Sequence, residues 1–182
     1  MASVVVPFRA AAAKRRLELP EDVRAELAHA MLADVLAAAV AVGPTLLVTE
    51  RDAEQARAIA GATGARVVDD PGRGQGAAVV AGLAAVGEWP ALVVNADLPE
   101  VEPRDLLALL GAMPQDGVAI AAAQDGTTNA LALAKAGLFA PLYGPGSAQR
   151  FRKHAAELGI PSADVDVPAL AEDVDTLAAF VR

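Results

Sequence analysis

Acidic residues that could hold a metal ion occur at two distant places in the sequence. Asp97 follows the apolar run Ala91–Val94, and Asp173 and Asp175 are spaced i, i+2 near the carboxyl end. In extended backbone that spacing points both carboxylates to the same side. Because the sequence has no Cys and only 2 His, an oxygen-only donor set favours Mg²⁺. A simpler role stays open, since such acids also cap helices and turns.

A group of cations follows the first predicted strand. Arg9, Lys14 and Arg16 lie in or beside a segment rich in Ala, directly after the β-branched run Ser3–Pro7. Small residues let backbone amides approach a phosphate while the cations neutralise its charge. The pattern therefore predicts a site for an anionic ligand, and a solvated basic run is the alternative.

Two glycine-rich turns each precede a predicted helix. Gly74 and Gln75 belong to the first turn, and Gly146 and Ser147 to the second. The free amides at a helix start can hold a phosphate or a carboxylate, while an ordinary Ser cap is the alternative for the second turn. The first turn can also be aligned with a dinucleotide-binding fingerprint, but that fingerprint normally opens its domain. Here two βα units precede it, which argues against that interpretation.

A sheet must bring these distant residues together, and the apolar pattern predicts one. Strands are expected at residues 3–7, 45–49, 65–68, 91–94, 117–122, 130–134 and 164–167, with helices in most of the intervals. This alternation predicts a single α/β domain over residues 1–182, with three α/β/α layers, a Rossmann-like arrangement and a mixed, mostly parallel sheet. Asp125 and Gly126 stand between two apolar runs and predict an antiparallel hairpin. The long helix that ends near Val42 is expected to turn its acids and His29 to solvent.

Composition excludes several classes of partner. The formal net charge is −8 and the cations are scattered, which argues against binding to nucleic acid or to an anionic membrane. The apolar start has no long hydrophobic region of a signal peptide. Residues 28–42 are too short and too polar to span a bilayer. We therefore expect a soluble, cytoplasmic protein.

Taken together, the motifs between Val4 and Thr176 resemble the phosphoenolpyruvate and 2-phospho-L-lactate guanylyltransferases of coenzyme F-420 biosynthesis. These belong to the molybdopterin-guanylyltransferase-like nucleotidyltransferases. The resemblance rests on the end of the basic segment (AKRRL, 13–17), on ADLP (96–99), on GTTNAL (126–131), on GPGS (144–147) and on DVDT (173–176). ADLP is shared by many nucleotidyltransferases, whereas GPGS followed by DVDT is more specific. Departures are Arg9 in place of Lys, Arg15 in place of Ser, and Gly-Gln-Gly at 74–76 in place of Gly-Leu-Asn.

The resemblance implies an Mg²⁺-dependent nucleotidyltransferase fold and activity, in which GMP passes from GTP to the phosphate of a small phospho-acid and pyrophosphate leaves. It implies that Asp97, Lys14 and Arg16 are catalytic, and that Asp97, Asp173 and Asp175 hold the metal. The substrate-binding residues that it implies are Arg9, Gly74, Gln75, Thr128, Asn129, Gly146 and Ser147.

The same resemblance implies GTP and a phospho-acid as small-molecule partners, with no nucleic acid and no membrane. It is compatible with a homodimer and implies contact with the downstream transferase of the same pathway. Two alternatives stay open. One is a molybdenum-cofactor-type nucleotidyltransferase, whose acceptor is larger, and the other is a catalytically silent nucleotide-binding protein of the same fold, to which the altered turn at Gly74 points.

Overall fold

A computed structural model describes residues 1–9 and 19–172 of the chain. Four residues of the predicted site, Lys14, Arg16, Asp173 and Asp175, lie outside the described residues. Their roles stay predictions.

The described chain alternates strands and helices in the order that the sequence predicts. The strands are β1 (Ser3–Pro7), β2 (Thr45–Thr49), β3 (Arg66–Asp69), β4 (Ala91–Val94), β5 (Val118–Ala122), β6 (Thr128–Leu133) and β7 (Ser162–Asp164). The helices are α1 (Glu21–Val42), α2 (Glu54–Thr63), α3 (Gln75–Ala84), α4 (Pro103–Ala112), α5 (Ser147–Glu157) and α6 (Pro168–Ala171).

All seven described strands join one sheet in the order β3-β2-β1-β4-β6-β5-β7. Among them only β6 runs antiparallel to its neighbours, β4 and β5, so the prediction of a mixed, mostly parallel sheet is confirmed. The hairpin between β5 and β6 turns at Asp125 and Gly126, as predicted. The chain order proceeds outward from β1 to β3 and then returns to the other side of β1 at β4. The sheet therefore has a topological switch point between β1 and β4, where open α/β sheets bind their ligands.

Alternating side chains of the strands bury the sheet on both faces. Val4 and Val6 of β1 pack in the cluster that contains α1, α2, α4 and α6. Val5, between them, packs in the cluster that contains α3 and α5. Period-2 alternation of apolar residues on a doubly covered sheet accounts for the near-continuous Val and Leu runs. The result is the predicted three-layer arrangement.

Helix α1 is long and apolar enough to cross a membrane by length and composition alone, with a mean hydropathy of 1.7 in its most apolar window. It packs against the sheet and α2 as the core helix of a soluble α/β domain does.

His29 lies on the buried stripe of α1, three residues before Leu32 and seven before Leu36, and is only 8% exposed. Its ring lies 5.5 Å from the ring of Phe8. The prediction that His29 faces solvent is therefore wrong.

The last predicted strand is displaced along the chain. Residues 164–167 were expected to be extended in the sheet, but β7 pairs with β5 over Ser162–Asp164. Val165 and Val167 are partly buried against the core, and the amide of Val165 still donates to the carbonyl of Ile120 in β5 over 2.9 Å. The predicted strand therefore overlaps the end of β7 and extends beyond it. Pro168 then begins α6, because Pro suits the first turn of a helix and cannot donate to a ladder.

Gly82 lets α3 lie close to the sheet. A Cβ at this position would lie 2.4 Å from Val5 Cγ1 and 2.8 Å from Val48 Cγ2. We expect Gly82→Ala to lower the free energy of unfolding by about 1–3 kcal/mol through overpacking, measured by denaturant titration. Gly61 in α2 is a matched control because a Cβ there meets nothing within 4 Å. Gly61→Ala should raise stability by about 0.4–1 kcal/mol, and equal effects of the two substitutions would contradict the close packing of α3.

Candidate active site

The switch point collects residues from four strands. Arg9 follows β1, Asp70 follows β3, and Asn95 follows β4. Because β6 is antiparallel to β4, its first residues reach the same edge of the sheet. The amide of Asn95 donates to the carbonyl of Asn129 over 2.9 Å, which fixes the start of β6 beside the end of β4.

Arg9 is held by a buried carboxylate. Its Nε donates to Asp70 Oδ2 over 2.6 Å, the Asp70 side chain is fully buried, and the Arg9 side chain is 30% exposed. The other oxygen of Asp70 accepts a bond of 2.8 Å from the amide of Gly72. The bond to Asp70 raises the pKa of Arg9. Among the described residues Arg9 has no further hydrogen bond.

The sequence reasoning missed Asp70, the residue that holds Arg9 in place. The signal was an Asp at the end of a strand and immediately before Pro71, where a side chain can organise the following turn. Its neighbour Asp69 differs, because it pairs outside the site with Arg57 and Arg51. The bond from Arg57, together with that from Arg51, lowers the pKa of Asp69.

The predicted nucleotide-binding turn is tied to the end of β4. Gln75, the first residue of α3, donates from Nε2 to Asn95 Oδ1 over 2.8 Å. On the other side, Gly76 closely approaches Pro141, since a Cβ on Gly76 would lie 2.5 Å from Pro141 Cβ. The Gly-Gln-Gly sequence therefore lets α3 begin between β4 and the segment that leads into GPGS. This turn follows the edge strand β3, whereas a dinucleotide fingerprint follows the first strand.

Asn95 is a second residue that the sequence reasoning left without a role. Besides accepting from Gln75, its side chain donates from Nδ2 to the carbonyl of Thr128 over 3.2 Å. Asn129 continues the network, donating from its own Nδ2 to the carbonyl of Leu170 over 3.0 Å. Asn95 thus links the turn before α3 to the first residues of β6. Its position two residues before Asp97 was the available signal.

Two predicted acceptor-binding residues are brought into contact. Ser147 Oγ donates to Thr128 Oγ1 over 3.0 Å, and both residues are buried, with exposures of 0% and 2%. Gly146 is the N-cap of α5 and no side chain caps the helix. The alternative of an ordinary Ser cap at Ser147 is therefore wrong. The Ser147 hydroxyl instead joins the start of α5 to the start of β6.

Asp97 lies in a turn between β4 and α4 and is partly buried. Asp97 is not the N-cap of α4, because that residue is Glu102, whose amide donates to Asp105 Oδ2 over 2.8 Å. The alternative that Asp97 caps the turn before this helix stays a prediction. Within the described residues no group of three or more His, Cys, Asp or Glu side chains could hold a metal. A single carboxylate nonetheless fits Mg²⁺, which binds through one or two carboxylates and takes waters and substrate phosphates as its other ligands.

The described chain ends close to this edge of the sheet. The carbonyl of Leu170 is bonded to Asn129, and Asn129 pairs with Asn95.

Comparison with known proteins decides the family. The family model described as "Guanylyl transferase CofC like" matches residues 2–178. The chain belongs to this family. The 2-phospho-L-lactate guanylyltransferase of Natrialba magadii is 39% identical over 196 residues, covering 98% of this chain and 81% of that protein. The phosphoenolpyruvate guanylyltransferase of Geodermatophilus obscurus is 39% identical over 186 residues, covering 96% and 84%. The suspected resemblance is confirmed.

Solved structures agree on the fold of this guanylyltransferase family member. One solved structure, from Desulfovibrio desulfuricans G20, is described as a nucleotide-diphospho-sugar transferase. It superposes with a TM-score of 0.79 at 15% identity, over 97% of this chain and 84% of that one. A nucleotidyl transferase from Methanothermobacter superposes with a TM-score of 0.71 at 20% identity, over 100% and 95%. The predicted nucleotidyltransferase fold is thereby confirmed.

Proposed function

We propose that the protein transfers GMP from GTP to the phosphate of phosphoenolpyruvate or 2-phospho-L-lactate, in coenzyme F-420 biosynthesis. The observation that carries the proposal is the arrangement at the β1/β4 switch point. There Arg9, held by the buried Asp70, and the glycine turn at Gly74 make up a cationic half of the site. The Thr128–Ser147 pair makes up a small polar half. In this chain of the guanylyltransferase family both halves lie at one edge of the sheet.

The reaction needs no covalent intermediate on the protein. An oxygen of the acceptor's phosphate attacks the α-phosphorus of GTP, the bond from that phosphorus to the bridging oxygen of the β-phosphate breaks, and pyrophosphate leaves. No proton has to be removed, because the attacking oxygen is already anionic. Catalysis is then a matter of positioning two polyanions and neutralising their charge.

The cationic half suits the triphosphate. Arg9 presents two Nη nitrogens from a guanidinium whose Nε is fixed by Asp70, and such a planar group binds phosphate oxygens in pairs. Lys14 and Arg16 add charge in the following segment. Gly74 and Gln75, at the start of α3, contact the nucleotide.

The polar half suits a small acceptor. Thr128, Asn129, Gly146 and Ser147 hold its carboxylate or phosphate through hydroxyls and through backbone amides at the start of α5. The buried Thr128–Ser147 contact favours a compact phospho-acid over the larger acceptor of a molybdenum-cofactor-type enzyme.

Asp97, with Asp173 and Asp175, is proposed to hold Mg²⁺. When bound, the ion would supply a template and a Lewis acid that neutralises the charge of the two substrates. The described part of the chain contributes the Asp97 carboxylate, from the turn that follows β4.

We place the protein in the cytoplasm, where GTP is available. The product would be consumed by the downstream transferase of the same pathway, and a homodimer is the assembly that we propose.

Pyrophosphate release tests the proposal. The protein is incubated with GTP, Mg²⁺ and, in parallel, phosphoenolpyruvate, 2-phospho-L-lactate or 3-phosphoglycerate. We expect release with one of the first two acceptors and none in the acceptor-free control. Replacing GTP by ATP should lower the rate. GTP binding without release for any acceptor would contradict the proposal and favour a catalytically silent nucleotide-binding protein.

A further inference from the structure

Arg150 in the first turn of α5 folds its side chain back over the loop that precedes the helix. Its Nε and Nη2 donate to the carbonyl of Leu142 over 3.1 and 2.8 Å, and Nη2 also donates to the carbonyl of Tyr143 over 3.1 Å. Nη1 donates to the carbonyl of Pro145 over 2.5 Å. Four of the five N–H groups of a guanidinium are thus engaged. Arg150 lies at the surface, but these bonds leave it no free edge for a two-pronged bond to a phosphate.

These bonds fix the direction of the loop's amides. In a planar trans peptide the C=O and the following N–H point in opposite directions, and the one cis peptide among the described residues is Trp89–Pro90. Since the carbonyls of Leu142, Tyr143 and Pro145 point to the guanidinium, the amides of Tyr143, Gly144 and Gly146 point away from it.

The backbone of this loop depends on glycine. Gly144 and Gly146 have φ angles of +110° and +70°, which other residues rarely adopt. Their amides donate to no other described group. The Nη2 and Nη1 atoms of Arg150 lie 3.6 and 3.8 Å from where the Cβ atoms of Gly144 and Gly146 would be, so the guanidinium packs against the backbone at both glycines.

We propose that Arg150 is a positioning residue for the acceptor. It draws three carbonyl groups to its own side, so that the amides at 143, 144 and 146 are turned away from it and towards the carboxylate or phosphate of the phospho-acid. It acts through the loop and does not touch the substrate. The inference rests on the proposed function, because it assigns the acceptor to this loop.

Binding of the acceptor separates this role from simple stabilisation of the fold. Arg150→Met keeps the length of the side chain and removes all the donors. We expect the dissociation constant for phosphoenolpyruvate, measured by calorimetry in the presence of Mg²⁺ and GDP, to rise by about tenfold or more. A tenfold rise corresponds to the loss of about one hydrogen bond to a charged group. The KM for GTP should change by less than about twofold, because Arg150 lies on the acceptor side.

Two further variants sharpen the test. Arg150→Lys keeps the charge but loses the planar fork, so its acceptor affinity should lie between those of the wild type and Arg150→Met. Arg152→Met is the matched control, because Arg152 is on the same helix and pairs with Asp164 instead. It should leave both substrates' affinities unchanged.

Failure of the inference is distinguishable from failure of the proposed function. If the wild type binds phosphoenolpyruvate and Arg150→Met binds it equally well, or if the affinities for GTP and acceptor fall together, Arg150 has no positioning role, although transfer can still be real. If the wild type neither binds nor uses any of the phospho-acids, the assignment of the acceptor to this loop is overturned together with the inference. A melting temperature recorded for each variant identifies any that does not fold. If Arg150→Met does not fold, the acceptor affinity of Arg150→Lys decides whether Arg150 has a positioning role.

Discussion

Replacing Asp97 by Asn should lower kcat by at least about a hundredfold, equivalent to about 2.7 kcal/mol of transition-state stabilisation. The substitution keeps the shape of the side chain and removes its charge. If Asp97 holds Mg²⁺ between two polyanionic substrates, the variant loses stabilisation of the transition state in which charge moves to the leaving pyrophosphate. Steady-state kinetics at several Mg²⁺ concentrations measures it, and the variant should need more Mg²⁺ for half-maximal activity.

Glu100 provides the matched control for Asp97. It lies three residues further along the same connection between β4 and α4 and is exposed. Glu100→Gln removes the same charge from the same loop and should leave kcat within about twofold of the wild type, because it lies outside the proposed metal site. Comparable losses in the two variants would mean that the loop's overall charge, and not a ligand at Asp97, supports the reaction.

Replacing Asp70 by Ala should damage both stability and GTP binding. The substitution leaves the mostly buried Arg9 without its charge partner and the amide of Gly72 without its acceptor. Breaking a buried pair in this way costs about 3 kcal/mol of unfolding free energy. A freed Arg9 should also raise the KM for GTP by about tenfold, equivalent to about 1.4 kcal/mol.

The pH dependence of the Asp70→Ala effect follows from the sign of the Arg9 shift. Because the pKa of Arg9 is raised in the folded state by its bond to Asp70, the stabilisation by the Arg9 charge is lost on the alkaline side only as the pH rises through the raised value. The Arg9 charge therefore contributes constantly between about pH 6 and pH 9.

Asp69→Ala is the control for Asp70, since the exposed Asp69 pairs with Arg57 and Arg51 outside the site. It should leave the KM for GTP unchanged. An Asp70 variant with unchanged GTP kinetics would show that the Arg9 pair is structural only.

The sheet and its order of elements could be predicted because apolar periodicity is a local property of the sequence. Runs such as Val4 to Val6 and Ala91–Val94 report their burial on both faces directly. The prediction for His29 was wrong, because it was based on the polar side chain and not on the position of His29 on the buried stripe with Leu32 and Leu36. The shifted bounds of β7 have another cause, since bonding to β5 continues one residue beyond the strand, from the amide of Val165 to the carbonyl of Ile120.

In the site, too, some residues could be predicted from local sequence and others could not. Thr128 and Ser147 could be assigned through motifs, and the structure brings their hydroxyls together. Asp70, Asn95 and Arg150 could not, because each acts by contacting a segment brought near only by the fold. The sequence alone does not distinguish Arg150 from its neighbours Arg152 and Lys153, which in the structure pair with Asp164 and Glu157.

The most direct test of guanylyl transfer is to identify the product by phosphorus NMR. The protein is incubated with GTP, Mg²⁺ and phosphoenolpyruvate or 2-phospho-L-lactate, and the spectrum is recorded before and after the reaction. The account predicts free pyrophosphate together with two new coupled resonances, from a diphosphate that joins the guanosine to the acceptor. Formation of GDP or GMP with the acceptor's own phosphate resonance unchanged would contradict it.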